Sequence, residues 1–498
     1  MVIQIRLNGD DYENDIYPLV KAFYPEEAVK VIRQEADRDI REESLIITVD
    51  TVDSYLCVVA EREKRQLYKE EEKVRAAKEQ ADFLKRKKEI RNHLKRMLYR
   101  CLKSLTEKDL PWGTLTGIRP TKIVLEKLEA GEDRKDIYRY MTEEYYCSEG
   151  KAELSLTVAE RENKLLRDMD YRNGYSIYIG IPFCPSTCLY CSFTSYSIEK
   201  YGKMAEAYLE ALMKEIRYAG AVLKNKKLTT LYIGGGTPTT LTEEQLERLL
   251  SCIDSYLKPS EAMEYTVEAG RPDSITEGKL KLLKAHGVNR ISINPQTMQQ
   301  RTLDLIGRKH TVRQIQEALL LARKTGHENI NMDIIIGLPG ERKEDVEDTL
   351  KEIKILNPES LTVHTLALKR ASRLKEERAE YEAVGFYETS KMAGLTADFA
   401  EAERYLPYYL YRQKNMSGNL ENIGYARRGR EGLYNILIME EKQTIIALGA
   451  GAQSKFVFHQ ENRIERVENV KSLKDYLERI DEMIDRKNRF LSENGHLL

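Results

Sequence analysis

The chain has 498 residues, 41% of them hydrophobic and 32% charged, a composition that excludes a disordered protein and asks for roughly two to four domains of ~100–250 residues each. Its 80 Lys+Arg against 81 Asp+Glu leave a net charge of −1, without the basic excess that a duplex-binding protein needs to neutralise phosphates. Nucleic acid is therefore not expected as a partner, whereas a small anionic substrate needs only a few local cations. No run approaches the ~18 apolar residues of a membrane span, and Met1–Gly9 lacks the basic start and apolar core of a secretory signal. A cytoplasmic location is expected.

In chain order, the apolar runs Val2–Leu7, Ser44–Val49 and Ser54–Val59 predict strands. A helix-like stretch over Pro25–Asp37 makes the segment a small α/β unit. From Arg62 to about Lys103, Glu, Lys, Arg and Ala dominate with Leu and Val at helical spacing, which predicts one long solvated helix. The basic run Lys85–Lys88 lies among interleaved acids and reads as solvated surface. Leu110–Lys122 carries the single tryptophan, Trp112, with two glycines and two prolines. It is expected to be an ordered packing turn.

From Tyr175 onward, short β-branched runs alternate with amphipathic helical segments. Strands are predicted at Ser176–Ile181, Thr230–Ile233, Glu264–Glu268, Arg290–Ile293, Asn331–Ile336 and Ser360–Thr365. Helices are predicted near Lys203–Leu223, Glu243–Tyr256, Glu277–Ala285, Val312–Lys324 and Lys343–Leu356. Successive β–α units imply parallel strands, in an open sheet or a full or partial barrel, with ligands at the carboxyl ends of the strands. Unusual residues do fall there: Cys184, Gly234–Thr237, Glu268 and Gln296 follow or end strands, and Asp333 lies within one. After about Ala400 this rhythm stops. An aromatic section (Tyr405–Tyr411), a glycine-rich one (Gly424–Gly432), a strand-like run (Thr444–Leu448) and a helix near Val470–Ile484 suggest a smaller closing domain. The expected division is 1–165, 166–400 and 401–498.

Of seven cysteines, Cys57, Cys101, Cys147 and Cys252 are scattered, while Cys184, Cys188 and Cys191 fall within eight residues. In a large cytosolic chain, such clustering points to metal binding rather than disulfides. Three thiolates on one loop can hold a four-iron cluster that keeps one iron free of protein ligands. That iron can chelate the amino and carboxylate groups of S-adenosylmethionine. A structural zinc site would want a fourth ligand, and the loop offers neither another cysteine nor a histidine.

Gly234-Gly-Gly-Thr237 permits close backbone approach to a ligand. Glu268 can accept from ribose hydroxyls or an ammonium. Asp333 lies among Ile330, Met332, Ile334, Ile335 and Ile336, and a carboxylate in so apolar a run requires a partner. Arg308 can stabilise a carboxylate.

Together, Tyr178-Ile-Gly-Ile-Pro-Phe-Cys184, the cysteine triad, Gly-Gly-Gly-Thr237-Pro, Asn289-Arg-Ile-Ser and Asp333-Ile-Ile-Ile-Gly-Leu-Pro are the signature. The region from about Tyr175 to Lys375 resembles the oxygen-independent coproporphyrinogen III oxidase family of radical S-adenosylmethionine enzymes. Asn422-Ile-Gly-Tyr-Ala, Tyr434-Asn-Ile and Leu448-Gly-Ala-Gly-Ala make the HemZ-type branch the nearest likeness. The resemblance implies an α/β fold, a partial (β/α)6 TIM-like barrel with an N-terminal α+β extension and a small C-terminal domain. It implies that Cys184, Cys188 and Cys191 ligate a [4Fe-4S] cluster. Tyr178, Tyr190, Gly235, Gly236, Thr237, Glu268, Gln296, Arg308, Asp333, Ala367 and Gln453 match positions that contact S-adenosylmethionine.

The implied reaction is oxidative decarboxylation of coproporphyrinogen III to protoporphyrinogen IX in heme biosynthesis. Its implied partners are an anionic tetrapyrrole and a flavodoxin- or ferredoxin-like electron donor, with the chain acting as a monomer. Arg271, Lys369, Arg370 and Arg412 are candidate cations for the substrate carboxylates. Phe193 stands where the oxidases carry a fourth cysteine, as in the related heme-chaperone branch. That branch, however, has a heme-linked His-Asn where this chain has Tyr434-Asn435.

Overall fold

The structure is a computed structural model that describes residues 2–9, 12–32, 44–52, 55–73, 83–117, 119–191, 195–367, 386–412 and 420–494. Its described residues separate into two compact units, the first within residues 2–157 and the second from residue 158 onward.

The first unit carries strands β1 (Val2–Gly9), β2 (Ala28–Ile32), β3 (Leu45–Val52), β4 (Tyr55–Arg62) and β5 (Arg65–Lys73), ordered β2-β1-β3-β4-β5. Two sequence expectations change here. The helix forms at Glu13–Phe23, where Ile16, Leu19, Val20 and Phe23 recur at helical spacing and are buried. The Pro25–Asp37 stretch instead supplies β2, whose Ala28–Ile32 pairs in parallel with Val2–Arg6 of β1. Nor is Arg62–Lys103 one helix. Glu63 and Lys64 both take positive φ, the geometry of a tight hairpin turn, and fold β5 back onto β4. Its many charges protect an edge strand, and the described helix of this stretch runs over Phe83–Thr106. Trp112 is fully buried and its carbonyl accepts from the Cys147 thiol, so Leu110–Lys122 begins as a packing turn and runs into a helix at Thr121–Glu129.

The second unit is built on parallel strands. These are β6 (Gly174–Ile181), β9 (Lys227–Gly235), β10 (Glu264–Gly270), β11 (Arg290–Ile293), β12 (Ile330–Ile336) and β13 (Ser360–Thr365). The two-residue strands β7 (Phe183–Cys184) and β8 (Tyr196–Ser197) form a separate small pair. Each crossover runs through a helix close to its predicted bounds, for example Ala205–Val222 and Val312–Lys324. Neighbours β6-β9-β10-β11-β12-β13 all pair in parallel, so this is a partial (β/α)6 barrel.

Residues after 401 extend the same sheet at both edges. Strands β14 (Leu406–Tyr411) and β15 (Asn422–Ala426) lie beside β13. Strand β16 (Thr444–Leu448) pairs in parallel with β6, followed outward by β17 (Gln453–Phe458) and β18 (Arg463–Glu468).

Alternation along the strands explains both faces. Ile177, Ile179, Leu231, Ile233, Val267, Ile291, Met332 and Leu361 are buried on the face that helices cover. Polar and aromatic residues between them point to the other side, where they bond across strands, as Thr230 to Ser176 and Asn331 to Ser292 do. Helix Ala205–Val222 is tied to the C-terminal segment through fully buried Glu215. Its carboxylate accepts from Gly449 N (2.8 Å), Asn469 Nδ2 (2.9 Å), Tyr476 hydroxyl (2.7 Å) and Lys487 Nζ (2.7 Å). Removing one partner of a buried pair strands the other's charge. Lys487→Met should therefore cost about 3 kcal/mol or more in urea unfolding, whereas exposed Lys474→Met should cost little.

Candidate active site

The site lies at the carboxyl ends of the parallel strands. Cys184 ends the short strand β7, just past the end of β6. The segment leading into it docks just beyond β9, where Gly236 N donates to Ile181 O (2.7 Å) and Thr237 N to Phe183 O (2.7 Å). The Thr237 hydroxyl stands 3.6 Å from Cys184 Sγ. Two glycines make this possible. Gly235 has φ +106°, and a Cβ on Gly236 would lie 2.5 Å from Phe183 O and 3.0 Å from Cys184 Sγ.

Farther along the loop, Leu189 N donates to Ile306 O and Cys191 N to Cys188 O. Leu189 packs with Ile306, Ile335 and Leu338, and Tyr190 and Leu366 lie against them. Ala367, which matches a nucleotide-contacting position, adjoins Leu366.

The polar face of the barrel is organised below this loop. Glu268 accepts from the Tyr232 hydroxyl at 2.5 Å and from Gly235 N–H. Burial pushes its carboxyl up to about 7, with the Asp333 charge adding to the rise. Burial would also raise Asp333, but hydrogen bonds with His364, Asn331 and Thr362 outweigh it and hold the group below its usual range. Asn331 Nδ2 lies 2.7 Å from Asp333 Oδ1, and His364 Nε2 lies 3.7 Å from Oδ2. Gln296 N and O bond to Asp333 O and Ile335 N, so its backbone extends the strand edge.

Gln296 Oε1 and Arg308 Nε are buried without a protein partner. Such groups in a site call for a ligand. Arg308 Nη1 also donates to Asn294 O, and the guanidinium faces the Tyr190 hydroxyl and the Cys188 thiol. Tyr178, Tyr232 and Tyr434 stack, with Tyr232 and Tyr434 centroids 4.5 Å apart.

The structure thus brings together most of the residues expected from sequence. The exceptions have physical reasons. The exposed side chain of Gln453, at the start of β17, bonds to Glu468 rather than facing the barrel. Arg271 and Arg412, the candidate cations for the substrate carboxylates, already have protein partners. Both are buried; Arg271 bonds to Ser186 and Asp273, and Arg412 Nε donates to Leu420 O. Lys369, Arg370 and Phe193 lie outside the described residues. His364, Tyr232 and Asn331 were not singled out by sequence, although strict alternation along β9, β12 and β13 marks them.

Among the described residues no group of three or more His, Cys, Asp or Glu side chains is gathered closely enough to hold a metal ion. The chemistry of the loop nevertheless fits an iron–sulfur cluster. It offers three soft thiols on one loop, the donor type that iron–sulfur clusters take, and binding iron would release their protons. The glycine cradle and the unpartnered Gln296 and Arg308 atoms leave polar groups for a second, small ligand.

Comparison with known proteins supplies the class: residues 178–353 match the radical SAM superfamily. The chain is 42% identical over 411 residues, 82% of each sequence, to the oxygen-independent coproporphyrinogen-III oxidase-like protein HemZ of Bacillus subtilis. It is 34% identical over 310 residues, 62% of this chain and 76% of the other, to the heme chaperone HemW of the same organism. Among solved structures, coproporphyrinogen III oxidase HemN of Escherichia coli shares the fold at TM-score 0.51 and 24% identity, over 65% of this chain and 73% of that one. These findings define a radical S-adenosylmethionine protein, whose cofactors are a [4Fe-4S] cluster and S-adenosylmethionine. More particularly, the chain belongs to the oxygen-independent coproporphyrinogen III oxidase family, in its HemZ-type branch.

Two outcomes are expected. Gly236→Ala should keep native circular dichroism but lower S-adenosylmethionine affinity at least about tenfold, because its Cβ meets carbonyl oxygens that cannot retreat. A cationic ligand requires ionised Glu268, so binding below pH 7 must release a proton. Calorimetry on cluster-loaded protein should show S-adenosylmethionine affinity rising from pH 6 to 8, by at most about tenfold per unit. Glu268→Gln should flatten that dependence.

Proposed function

We propose that this protein is an enzyme that oxidatively decarboxylates coproporphyrinogen III to protoporphyrinogen IX without oxygen. Cys184, Cys188 and Cys191 would hold the cluster. Gly235, Gly236 and Thr237 would receive the methionyl end of S-adenosylmethionine, while Glu268, Gln296, Arg308 and Asp333 receive its nucleoside. When bound and reduced by a flavodoxin- or ferredoxin-like donor, the two cofactors supply a 5′-deoxyadenosyl radical.

The protein's part is to orient and shield. Tyr178, Tyr232 and Tyr434 keep the inner end of the barrel dry, and Glu268 and Asp333 fix the ribose. The strand ends would hold a propionate β-carbon beside the bound cofactor. With the cofactors bound, a hydrogen atom would pass from that carbon to the 5′-deoxyadenosyl radical, giving 5′-deoxyadenosine, and loss of carbon dioxide and of one electron to an acceptor would leave the vinyl group. Two such turnovers convert both propionates. No described helix is long and apolar enough to cross a membrane, and we infer that the protein works in the reducing cytoplasm, where thiols stay free to bind iron.

The observation that carries this reading is Tyr434. It stands where the heme-chaperone branch has its heme-linked histidine, yet it is buried and stacked 4.5 Å from Tyr232. Its neighbour Asn435 donates to the Tyr408 hydroxyl. A side chain so enclosed cannot reach heme iron. The likeness to HemW favours a second reading, a heme-delivery protein whose cluster regulates rather than reacts.

Reconstituted protein, incubated anaerobically with coproporphyrinogen III, S-adenosylmethionine and dithionite, should give protoporphyrinogen IX with carbon dioxide and 5′-deoxyadenosine. Cofactor cleavage without that product would remove the substrate assignment. Stoichiometric heme binding with no cofactor consumption would favour the second reading. Cys188→Ala should abolish cluster absorbance and turnover, whereas Asp333→Ala should weaken S-adenosylmethionine binding and leave iron content unchanged.

A further inference from the structure

Arg271 is oriented toward the cysteine loop rather than toward solvent. It follows β10 directly and is 2% exposed. Nη1 donates to Ser186 O (3.1 Å) and lies 2.6 Å from Ser186 Oγ. Nε and Nη2 donate to the two oxygens of Asp273, at 3.0 and 2.6 Å. Ser186 Oγ in turn donates to Gly307 O at 2.9 Å. Asp273 also faces the buried His310 ring, whose Nδ1 is 3.8 Å away. The backbone carrying the arginine is fixed as well, since the Arg271 carbonyl accepts from Ser274 N and Oγ.

Resting on the cofactor reading above, we propose that Arg271 is a positioning residue for the cluster loop. It clamps Ser186, midway between Cys184 and Cys188, to Asp273 and presents a fixed positive charge to the loop. The geometry needs an arginine. One edge of the planar fork is occupied by the carboxylate while Nη1 remains free for the serine, a division that a lysine ammonium cannot reproduce. The carboxylate occupies one edge of the fork, so the remaining nitrogen is left to the cysteine loop at Ser186.

Two separable effects follow. The clamp limits the loop's freedom to release iron. The charge favours the cluster's reduced state, which gains one electron from an added donor and so becomes more negative.

Both effects are measurable in the full chain reconstituted with iron and sulfide, without substrate. The readouts are iron lost to a chelator and the midpoint potential from an electron-paramagnetic-resonance titration with dithionite and mediators. Arg271→Met should lose iron at least about fivefold faster and be about tenfold harder to reduce, a fall of about 59 mV for a one-electron couple. Arg271→Lys and Ser186→Ala should lose iron faster while keeping the potential of the parent protein. Folded Arg271→Met with parental iron retention and potential would overturn the proposal. If that variant does not fold, parental iron retention in both Arg271→Lys and Ser186→Ala would overturn it. A parent protein that takes up no iron removes the cofactor reading itself, and the clamp with it.

Discussion

The close approach of two backbones, Ile181–Cys184 at the end of β6 and Gly235–Thr237 at the end of β9, sets the position of everything else in the site. Two hydrogen bonds of 2.7 Å join them, and a side chain on Gly236 would crowd both acceptors, Ile181 O and Phe183 O. This contact fixes where the first cysteine emerges. Gly235 also turns its N–H onto Glu268, so the same glycine segment orients the carboxylate of the next strand. The cysteine loop, the glycine cradle and the acidic group are therefore one mechanical piece rather than three motifs.

Around that piece the strands alternate between an apolar face for the helices and a polar face for a ligand. Two carboxylates on the polar face have opposite environments. Glu268 is raised to about 7 by burial and by its neighbour, while Asp333 is held ionised by Asn331, Thr362 and His364. Two like charges confined together do not ionise independently. The site is prepared for one cationic group, whose arrival lets the second carboxylate lose its proton. The sulfonium and ammonium of S-adenosylmethionine are groups of that kind.

Much of this was legible in the sequence because parallel β–α units impose a strong rhythm. Arg290–Ile293 and Ser360–Thr365 have the predicted bounds, and the ends of the strands marked Cys184, Glu268 and Gln296. The errors arose where tertiary pairing overrides local preference. Arg65–Lys73 has the composition of a solvated helix, but a two-residue turn at Glu63–Lys64 makes it an edge strand. Arg271 illustrates a different limit. An arginine beside a site reads equally well as a substrate cation or as an internal brace, and only the positions of Ser186 and Asp273 distinguish them. His364 was hidden for a related reason, since its partner Asp333 lies on the neighbouring strand.

The pairing of β6 with β16 carries a consequence for biosynthesis. Tyr175 meets Thr444 across that ladder, so the first strand of the barrel is synthesised long before the strand that covers its outer edge. Until then the nascent chain displays a row of unpaired backbone groups beside the segment that holds the cysteines. A ribosome-bound intermediate is thus exposed to mispairing along that edge, and a chain interrupted before residue 444 would keep it uncovered.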